Sequence, residues 1–389
     1  MGLLHKLSIP IPILRLSAIF FLIEFVRGAI LISYLPKFVV DELDLTVTTV
    51  GVAVAAHYVA DTATKLGIGY LLDRFPMQRI LQSCFLLSFG GLLLLQMAAA
   101  PWMLILGSIL FGIGASPIWI IGMSSVSEHD RGHQMGVLYM AWLLGLGLGS
   151  VVLNFFLDWF HYDTSFSILL GLTVVAWIVS WKVQNRAAEH ELTIPLRQQF
   201  AALWAHIGNI RPLLPGMILQ TLAASMLVPI LPIFAQEHLQ LTNTQYSFFL
   251  MAGGAFAIIG LVPMGRLSDK LGKKWFLVIG FTCFACGLYS ITTVQTLWTG
   301  LLWAMALGVS YAAVLPAWNA LLAQFIPPQQ QGMGWGIFST VEGVGVMIGP
   351  VIGGTIADAF GLAVPFWISA ALFLLIGAFY MWFPHRLFR

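Results

Sequence analysis

The sequence predicts an all-α integral membrane protein in which twelve transmembrane helices form two related halves of six. Composition is the first reason. Of 389 residues, 59% are hydrophobic and 9% are charged, and the mean hydropathy is +0.90. That leaves too little polar surface to cover a soluble globule of this length. The second reason is the run of apolar segments, which begin near residues 14, 46, 78, 102, 134, 164, 212, 244, 274, 297, 331 and 363. Each can supply the roughly 20 residues needed to cross a bilayer core. The third is an internal repeat. Gly69-Tyr70-Leu71-Leu72-Asp73-Arg74 recurs 196 positions on as Gly265-Arg266-Leu267-Ser268-Asp269-Lys270, and Leu35-Pro36 recurs as Leu231-Pro232 at the same offset. Pro117 and Trp119 answer to Pro316 and Trp318 at 199, and Gly132, Gly136, Gly145 and Gly149 answer to Gly332, Gly336, Gly345 and Gly349 at 200. Such a drift is what small loop insertions leave after a duplication.

The first span follows a short basic segment, Lys6 to Arg15, but has no small-residue cleavage site and contains Glu24 and Arg27, so it reads as a retained helix. With the N-terminus inside, Lys37 is the only Lys or Arg in an outer loop, whereas Arg74, Arg79, Arg131, Lys182, Arg186, Arg197, Arg211, Arg266, Lys270, Lys273, Lys274, Arg386 and Arg389 fall inside. Both termini are therefore expected in the cytoplasm. The longest polar connection, Gln184 to Arg211, divides the chain into an N-terminal half over 1–183, a linker over 184–211 and a C-terminal half over 212–389. Within the linker, Leu196, Phe200, Leu203, Trp204, Ile207 and Ile210 recur at helical spacing after Thr193 and Pro195, which predicts a helix lying on the inner membrane surface. Cys84, Cys283 and Cys286 lie in apolar helices, where packing is their plain reading. No metal site or cofactor is expected from them.

The chemistry concentrates in the N-terminal half. Glu24 and Arg27 lie three apart, midway along a run from Leu16 to Pro36 that has no other charge. On a helix they share a face, and an intramembrane charge costs at least ~2.5–3.5 kcal/mol, so it is rarely kept without use. The pair is either a structural bridge between helices or part of a polar substrate and proton site. His57, Asp61 and Lys65 follow at intervals of four and form one polar stripe on span two. Comparison of the halves favours the site. At offset 196, Glu24 answers to Gln220, Arg27 to Ala223, His57 to Gly253 and Asp61 to Ala257, so the C-terminal half is apolar apart from Glu342. A stripe of this kind would be too costly against lipid and must line a cavity, with one charged wall and one greasy wall. Such a cavity suits an amphiphile. Trp119 and Trp142 add flat faces of the kind that stack on sugar rings, although packing or interfacial anchoring is the ordinary role of a membrane tryptophan. Trp318 answers to Trp119 in the apolar half.

The G-x-x-x-D-[RK] loops at Gly69, Asp73 and Arg74 and at Gly265, Asp269 and Lys270 resemble the signature loop of the major facilitator superfamily, whose fold has this plan of two six-helix pseudo-symmetric halves. The resemblance implies a conformational latch at these six residues. The first copy departs from the pattern, because Pro76 sits near the place of the loop's second glycine, which Gly272 supplies in the second copy. Gly345-x-x-x-Gly349-Pro350-x-x-Gly353-Gly354 is similar to the family's glycine-proline motif, here in span eleven. Gly112-Ile113-Gly114-Ala115 resembles the end of a motif of proton-driven drug exporters, but Ser108 stands in place of that motif's arginine.

A finer resemblance is carried by Ile23-Glu24-Phe25-Val26-Arg27-Gly28, His57-Tyr58-Val59-Ala60-Asp61, Ser116-Pro117-Ile118-Trp119-Ile120-Ile121, Arg131-Gly132-His133-Gln134-Met135-Gly136, Ala141-Trp142-Leu143-Leu144-Gly145-Leu146 and Leu315-Pro316-Ala317-Trp318-Asn319. These resemble the glycolipid flippases of lipoteichoic acid assembly in Gram-positive bacteria. The resemblance implies proton antiport that moves diglucosyl-diacylglycerol from the inner to the outer leaflet of the bacterial cell membrane, with lipoteichoic acid synthesis enzymes as partners. It assigns head-group binding and coupling to Glu24, Arg27, Asp61, Trp119 and Trp142. Lys65 joins the binding wall, and Glu24, Asp61 and His57 are the candidate proton carriers. No cofactor and no nucleic acid are expected. Two alternatives use different chemistry. A proton-coupled transporter of drugs or small amphipathic solutes would share the fold. A membrane-embedded transferase would need a metal-binding acid cluster or an activated nucleophile, neither of which the sequence displays.

Overall fold

The computed structural model describes residues 10–124, 131–183, 213–294, 296–325 and 331–382. The expected linker helix within 184–211 lies outside the described residues. Among the described residues the chain is a succession of helices: α1 (Ile11–Glu42), α2 (Val47–Arg74), α3 (Met77–Gln96), α4 (Pro101–Ser124), α5 (Arg131–Trp159) and α6 (Tyr162–Ser180) in the first half. In the second half come α7 (Leu214–Ser225, resuming as Leu231–Glu237), α8 (Asn243–Leu271), α9 (Lys273–Ile291), α10 (Leu297–Ala323), α11 (Gln331–Phe360) and α12 (Val364–Trp382). Ten of these segments are long and apolar enough to cross a membrane. The other two depart for visible reasons. α2 carries His57, Asp61 and Lys65 along its length, and α7 is interrupted after Ser225 and restarts with Pro232 in its first turn, where a missing N–H costs nothing.

α1 differs most from its expected form. It begins at Ile11, after the extended Pro10, and runs on past Pro36 to Glu42. Two wide-turn π segments, Ala29–Tyr34 and Phe38–Glu42, flank Pro36, which has no N–H to give to the carbonyl one turn back. Lys37 is therefore not in an outer loop. It lies inside α1 with 2% of its surface exposed, and its Nζ donates to Asn154 Oδ1 at 3.2 Å. Asn154 in turn donates to Ser33 Oγ, also at 3.2 Å. Asp41 and Glu42 form the last turn of α1.

The chain divides into two compact units, Met1–Leu45 with Val52–Glu191 and Thr46–Gly51 with Leu192–Arg389. Within each half the helices pair in the same way. α1 packs on α5 and α6, and α3 on α4 and α6. Six helices later, α7 packs on α11 and α12, and α9 on α10 and α12. Glycines set the closest approaches. A Cβ on Gly112 of α4 would meet the His57 carbonyl of α2 at 2.5 Å, and Gly308 of α10 lies in the same way against the Gly253 carbonyl of α8. Both partners sit 196 positions on from their counterparts, so the repeat is one of packing as well as of sequence.

The turns that close the signature loops are solved differently in the two copies. Gly272 adopts a φ of +97°, a conformation that only glycine takes cheaply, between α8 and α9. Pro76, 196 positions earlier, turns the chain with φ −55° and ψ 130° as the residue preceding α3. Proline suits that place because the next residue opens a helix and the proline's own N–H is not needed.

Candidate functional site

α1 and α2 bring two acid–base pairs into the interior of the N-terminal half. Three-residue spacing on α1 sets Arg27 Nη2 at 2.8 Å from Glu24 Oε2, with little exposure of either side chain. Four-residue spacing on α2 sets Lys65 Nζ at 2.6 Å from Asp61 Oδ2. Asp61 is 4% exposed and Glu24 5%, whereas 38% of the Lys65 side chain is accessible. The pairs lie within electrostatic reach of each other, because Asp61 acts on both Glu24 and Arg27. Pairing lowers the cost of taking each charge out of water. It also leaves Asp61 Oδ1 enclosed without a hydrogen bond, a lone pair that can take up a proton. α4 supports this end of α2 through Ser116, whose hydroxyl donates to the Asp61 carbonyl at 2.8 Å.

An aromatic pair stands in the same half. Trp119 of α4 and Trp142 of α5 meet edge to face with ring centroids 6.0 Å apart and planes at 62°. Trp119 also meets Phe20 of α1, one turn before Glu24, at 5.5 Å. On α5, Gly145 follows Trp142 by three residues, and a Cβ there would meet Glu24 Cβ at 3.0 Å. Trp142 and the Glu24–Arg27 pair thus stand near one close approach between α1 and α5, and Trp119 of α4 reaches α1 through Phe20. Both tryptophans remain half-buried, so part of each ring is open to a ligand. A charge-balanced polar patch beside two partly open indoles can hydrogen-bond a neutral, hydroxyl-rich group and stack on its flat faces.

The polar stripe of α2 is graded rather than uniform. His57 has no exposed surface, and its ring lies against Phe111 of α4 at 5.1 Å and beside Tyr58. Its position on the face of α2 that meets α4 encloses it, so in this conformation it does not line a cavity as expected, whereas Lys65 reaches a surface. Of the six signature-loop residues, Gly69, Asp73 and Arg74 fall in the last turns of α2, and Gly265, Asp269 and Lys270 in those of α8. The Gly265 carbonyl accepts from Ser268 at 2.8 Å, and Lys270 is exposed. The side chains of Asp73, Arg74 and Asp269 lie outside the described residues. Ser108, which stands where drug exporters carry an arginine, is fully buried in α4.

In the C-terminal half a polar contact escaped the sequence reading. Glu342 of α11 accepts at Oε1 from Trp318 Nε1 of α10 at 3.0 Å and from Gln220 Nε2 of α7 at 3.2 Å. Glu342 was legible as an exception to an apolar half, but its partners are 24 and 122 residues away. Spacing along one helix could not join them.

A sequence profile described as Major Facilitator Superfamily matches residues 16–215 and 213–387. Among curated proteins, the chain is 35% identical over 369 residues to the proton-coupled antiporter flippase LtaA of Staphylococcus saprophyticus subsp. saprophyticus, covering 93% of this chain and 92% of that one. It is 34% identical over 370 residues to the protein of the same name from Staphylococcus epidermidis, and 32% over 368 residues to that of Staphylococcus aureus, with the same coverage in both cases. Among solved structures, the nucleoside transporter NupG superposes with a TM-score of 0.77 at 13% identity, covering 96% of this chain and 98% of that one. A bacterial homologue of the human lysosomal transporter Spinster, in an inward-facing and unoccupied conformation, gives 0.79 at 15% identity, covering 97% of each chain. At such identities these two likenesses speak for the fold alone.

Proposed function

Because the chain belongs to the Major Facilitator Superfamily, we propose that this multi-pass membrane transporter is a proton-coupled antiporter flippase, which moves a glycolipid anchor from the inner to the outer leaflet. The substrate of this reading is diglucosyl-diacylglycerol, and the pathway it serves is lipoteichoic acid assembly, together with the enzymes of that synthesis. The observation that carries the reading is the pairing of Glu24–Arg27 and Asp61–Lys65 beside the Trp119–Trp142 contact, all within one half. The likeness to antiporter flippases over 93% of the chain supports it.

In this mechanism the sugar head group is held by the residues of 1–183, and the acyl chains follow the more apolar surface of 212–389 or stay in lipid. The linker over 184–211 tethers the two halves, and both termini are cytoplasmic. The site opens alternately to the two sides of the membrane. Glu24 and Asp61 take up and release the proton as their partners Arg27 and Lys65 move toward or away from them, since a nearby cation favours the ionised form. Arg27 offers a planar fork of donors to sugar hydroxyls, and the two tryptophans give stacking surface. His57 relays the proton only in a state that opens its enclosure. The two signature loops latch one state and part in the other.

The test is reconstitution. Purified protein in proteoliposomes with a labelled diglucosyl-diacylglycerol should move the lipid between leaflets faster when a proton gradient is imposed. Transport of soluble drugs without movement of the glycolipid would favour the small-solute alternative instead, against which Ser108 already weighs. Formation of a new glycoside from lipid and sugar-nucleotide donor would favour the transferase.

A further inference from the structure

The repeat places a second polar site in the half that otherwise looks apolar. The offset of 196 puts Gln220 where the first half has Glu24, 199 puts Trp318 where it has Trp119, and 200 puts Glu342 where it has Trp142. In the first half, Trp119 and Trp142 meet ring to ring. In the second, the counterpart of one is a carboxylate that accepts from the indole N–H of the other. The acid has thus moved from the α1 position to the α11 position, where it accepts from both of the other counterparts.

This carboxylate differs from those of the first half in what surrounds it. Glu24 and Asp61 each have a cation on their own helix. Among the described residues Glu342 forms no ion pair. Its two hydrogen bonds come from neutral N–H groups, and both arrive at Oε1. Oε2 receives none from the described residues, and it is not sealed in the interior, because Glu342 is half-buried and this atom is absent from the enclosed unsatisfied ones. Tyr311, on the same helix as Trp318, is the other titratable group within its electrostatic reach. Trp318 is 2% exposed and packs on Tyr380 of α12 at 5.9 Å. Thr221, beside Gln220, donates to the Glu342 carbonyl at 2.8 Å. The carboxylate is therefore held in orientation from α7 and α10, with one oxygen pinned and the other open. An open acceptor of this kind within a membrane-spanning helix is costly unless water or a ligand completes it.

We propose that Glu342, positioned by Trp318 and Gln220, is a hydroxyl-binding subsite of the C-terminal half, which accepts a hydrogen bond at Oε2 from a sugar or polyol head group. This rests on the glycolipid reading above and adds a polar contact to the half assigned to the acyl chains. The ligand class follows from the chemistry. A carboxylate oxygen accepts from a hydroxyl, and the strength of charge-assisted bonds makes one such contact worth a selectable preference. A cationic amphiphile is the competing occupant.

The experiment measures equilibrium binding of diglucosyl-diacylglycerol and of diacylglycerol to the purified full chain in nanodiscs, for the wild type, Glu342→Leu, Glu342→Gln and Trp318→Phe. Glu342→Leu should weaken the glucosylated lipid by about ten- to a hundredfold and leave diacylglycerol unchanged, which also reports an intact fold. Glu342→Gln should keep a smaller part of the preference, since its carbonyl can stay with Trp318 and Gln220 while its amide donates to a hydroxyl oxygen without the charge that strengthens the bond. Trp318→Phe, which keeps an aromatic ring and removes the indole N–H, should cost about two- to tenfold in the same direction, and it carries the test if Glu342→Leu fails to fold. A preference for the glucosylated lipid that survives both Glu342→Leu and Trp318→Phe overturns this subsite alone. Wild-type protein with no preference overturns it together with the glycolipid reading. Binding of tetraphenylphosphonium that is lost in Glu342→Gln, with glycolipid binding untouched, assigns the carboxylate to a cation and also overturns it.

Discussion

At the residue scale, Glu24 and Arg27 are three apart and in contact at 2.8 Å, a geometry that a purely structural bridge would share with a working site. Exchange of their positions separates the two. An ion pair largely reads distance, so Glu24→Arg with Arg27→Glu should preserve transport if the pair only locks α1. If Arg27 holds hydroxyls through its fork while Glu24 exchanges a proton, each needs its own place. The swapped protein should then express normally and move no glycolipid in proteoliposomes, like either single alanine variant. Substantial flipping by the swap would return the pair to a structural role. The tryptophans make a graded prediction. Trp119→Ala and Trp142→Ala should each weaken glycolipid binding by about 1–3 kcal/mol, the usual cost of truncating an aromatic contact, and titration of the purified variants with the lipid reads that loss. Equal weakening for diacylglycerol would mean that the indoles hold helices together rather than sugars.

At the element scale, the site depends on how closely α5 lies on α1. A Cβ on Gly145 would meet the Phe21 carbonyl at 2.6 Å, whereas one on Gly147 of the same helix would meet nothing within 4 Å. Gly145→Ala should therefore force the helices apart at Glu24, lowering stability by about 1–3 kcal/mol and weakening glycolipid binding. Gly147→Ala should leave both unchanged. Thermal unfolding and binding measured on the pair check this, and equal behaviour of the two variants would contradict the assigned contact. The same elements mark how far sequence reading reaches. The starts of the twelve spans were legible because apolar runs and their glycine and proline punctuation are local. The course of α1 past Pro36 was not, because proline ordinarily ends a helix, and the contact that Lys37 makes beyond it, with Asn154, joins residues 117 apart. Both ion pairs were legible from spacing on one helix. The enclosure of His57 by Phe111, and the contacts of Glu342 with Gln220 and Trp318, depend on neighbouring helices and could be read only from the fold.

At the scale of the whole molecule, duplication has given two halves with the same helix pairings and unequal chemistry. The first keeps two acid–base pairs and two facing indoles. The second keeps the helical frame and, at Glu342, a carboxylate that accepts from two neutral donors. The proposed mechanism sets coupling in the first half because that half holds acids whose cations can be moved away from them. The most direct test is flipping of labelled diglucosyl-diacylglycerol in proteoliposomes, recorded together with proton movement under an imposed gradient, for wild type and Asp61→Asn. Asparagine keeps the shape of the side chain and cannot exchange a proton. The wild type should move lipid and protons together, and Asp61→Asn should bind the lipid yet show neither gradient-driven flipping nor lipid-dependent proton flux. Gradient-driven flipping by Asp61→Asn at the wild-type rate would contradict the account.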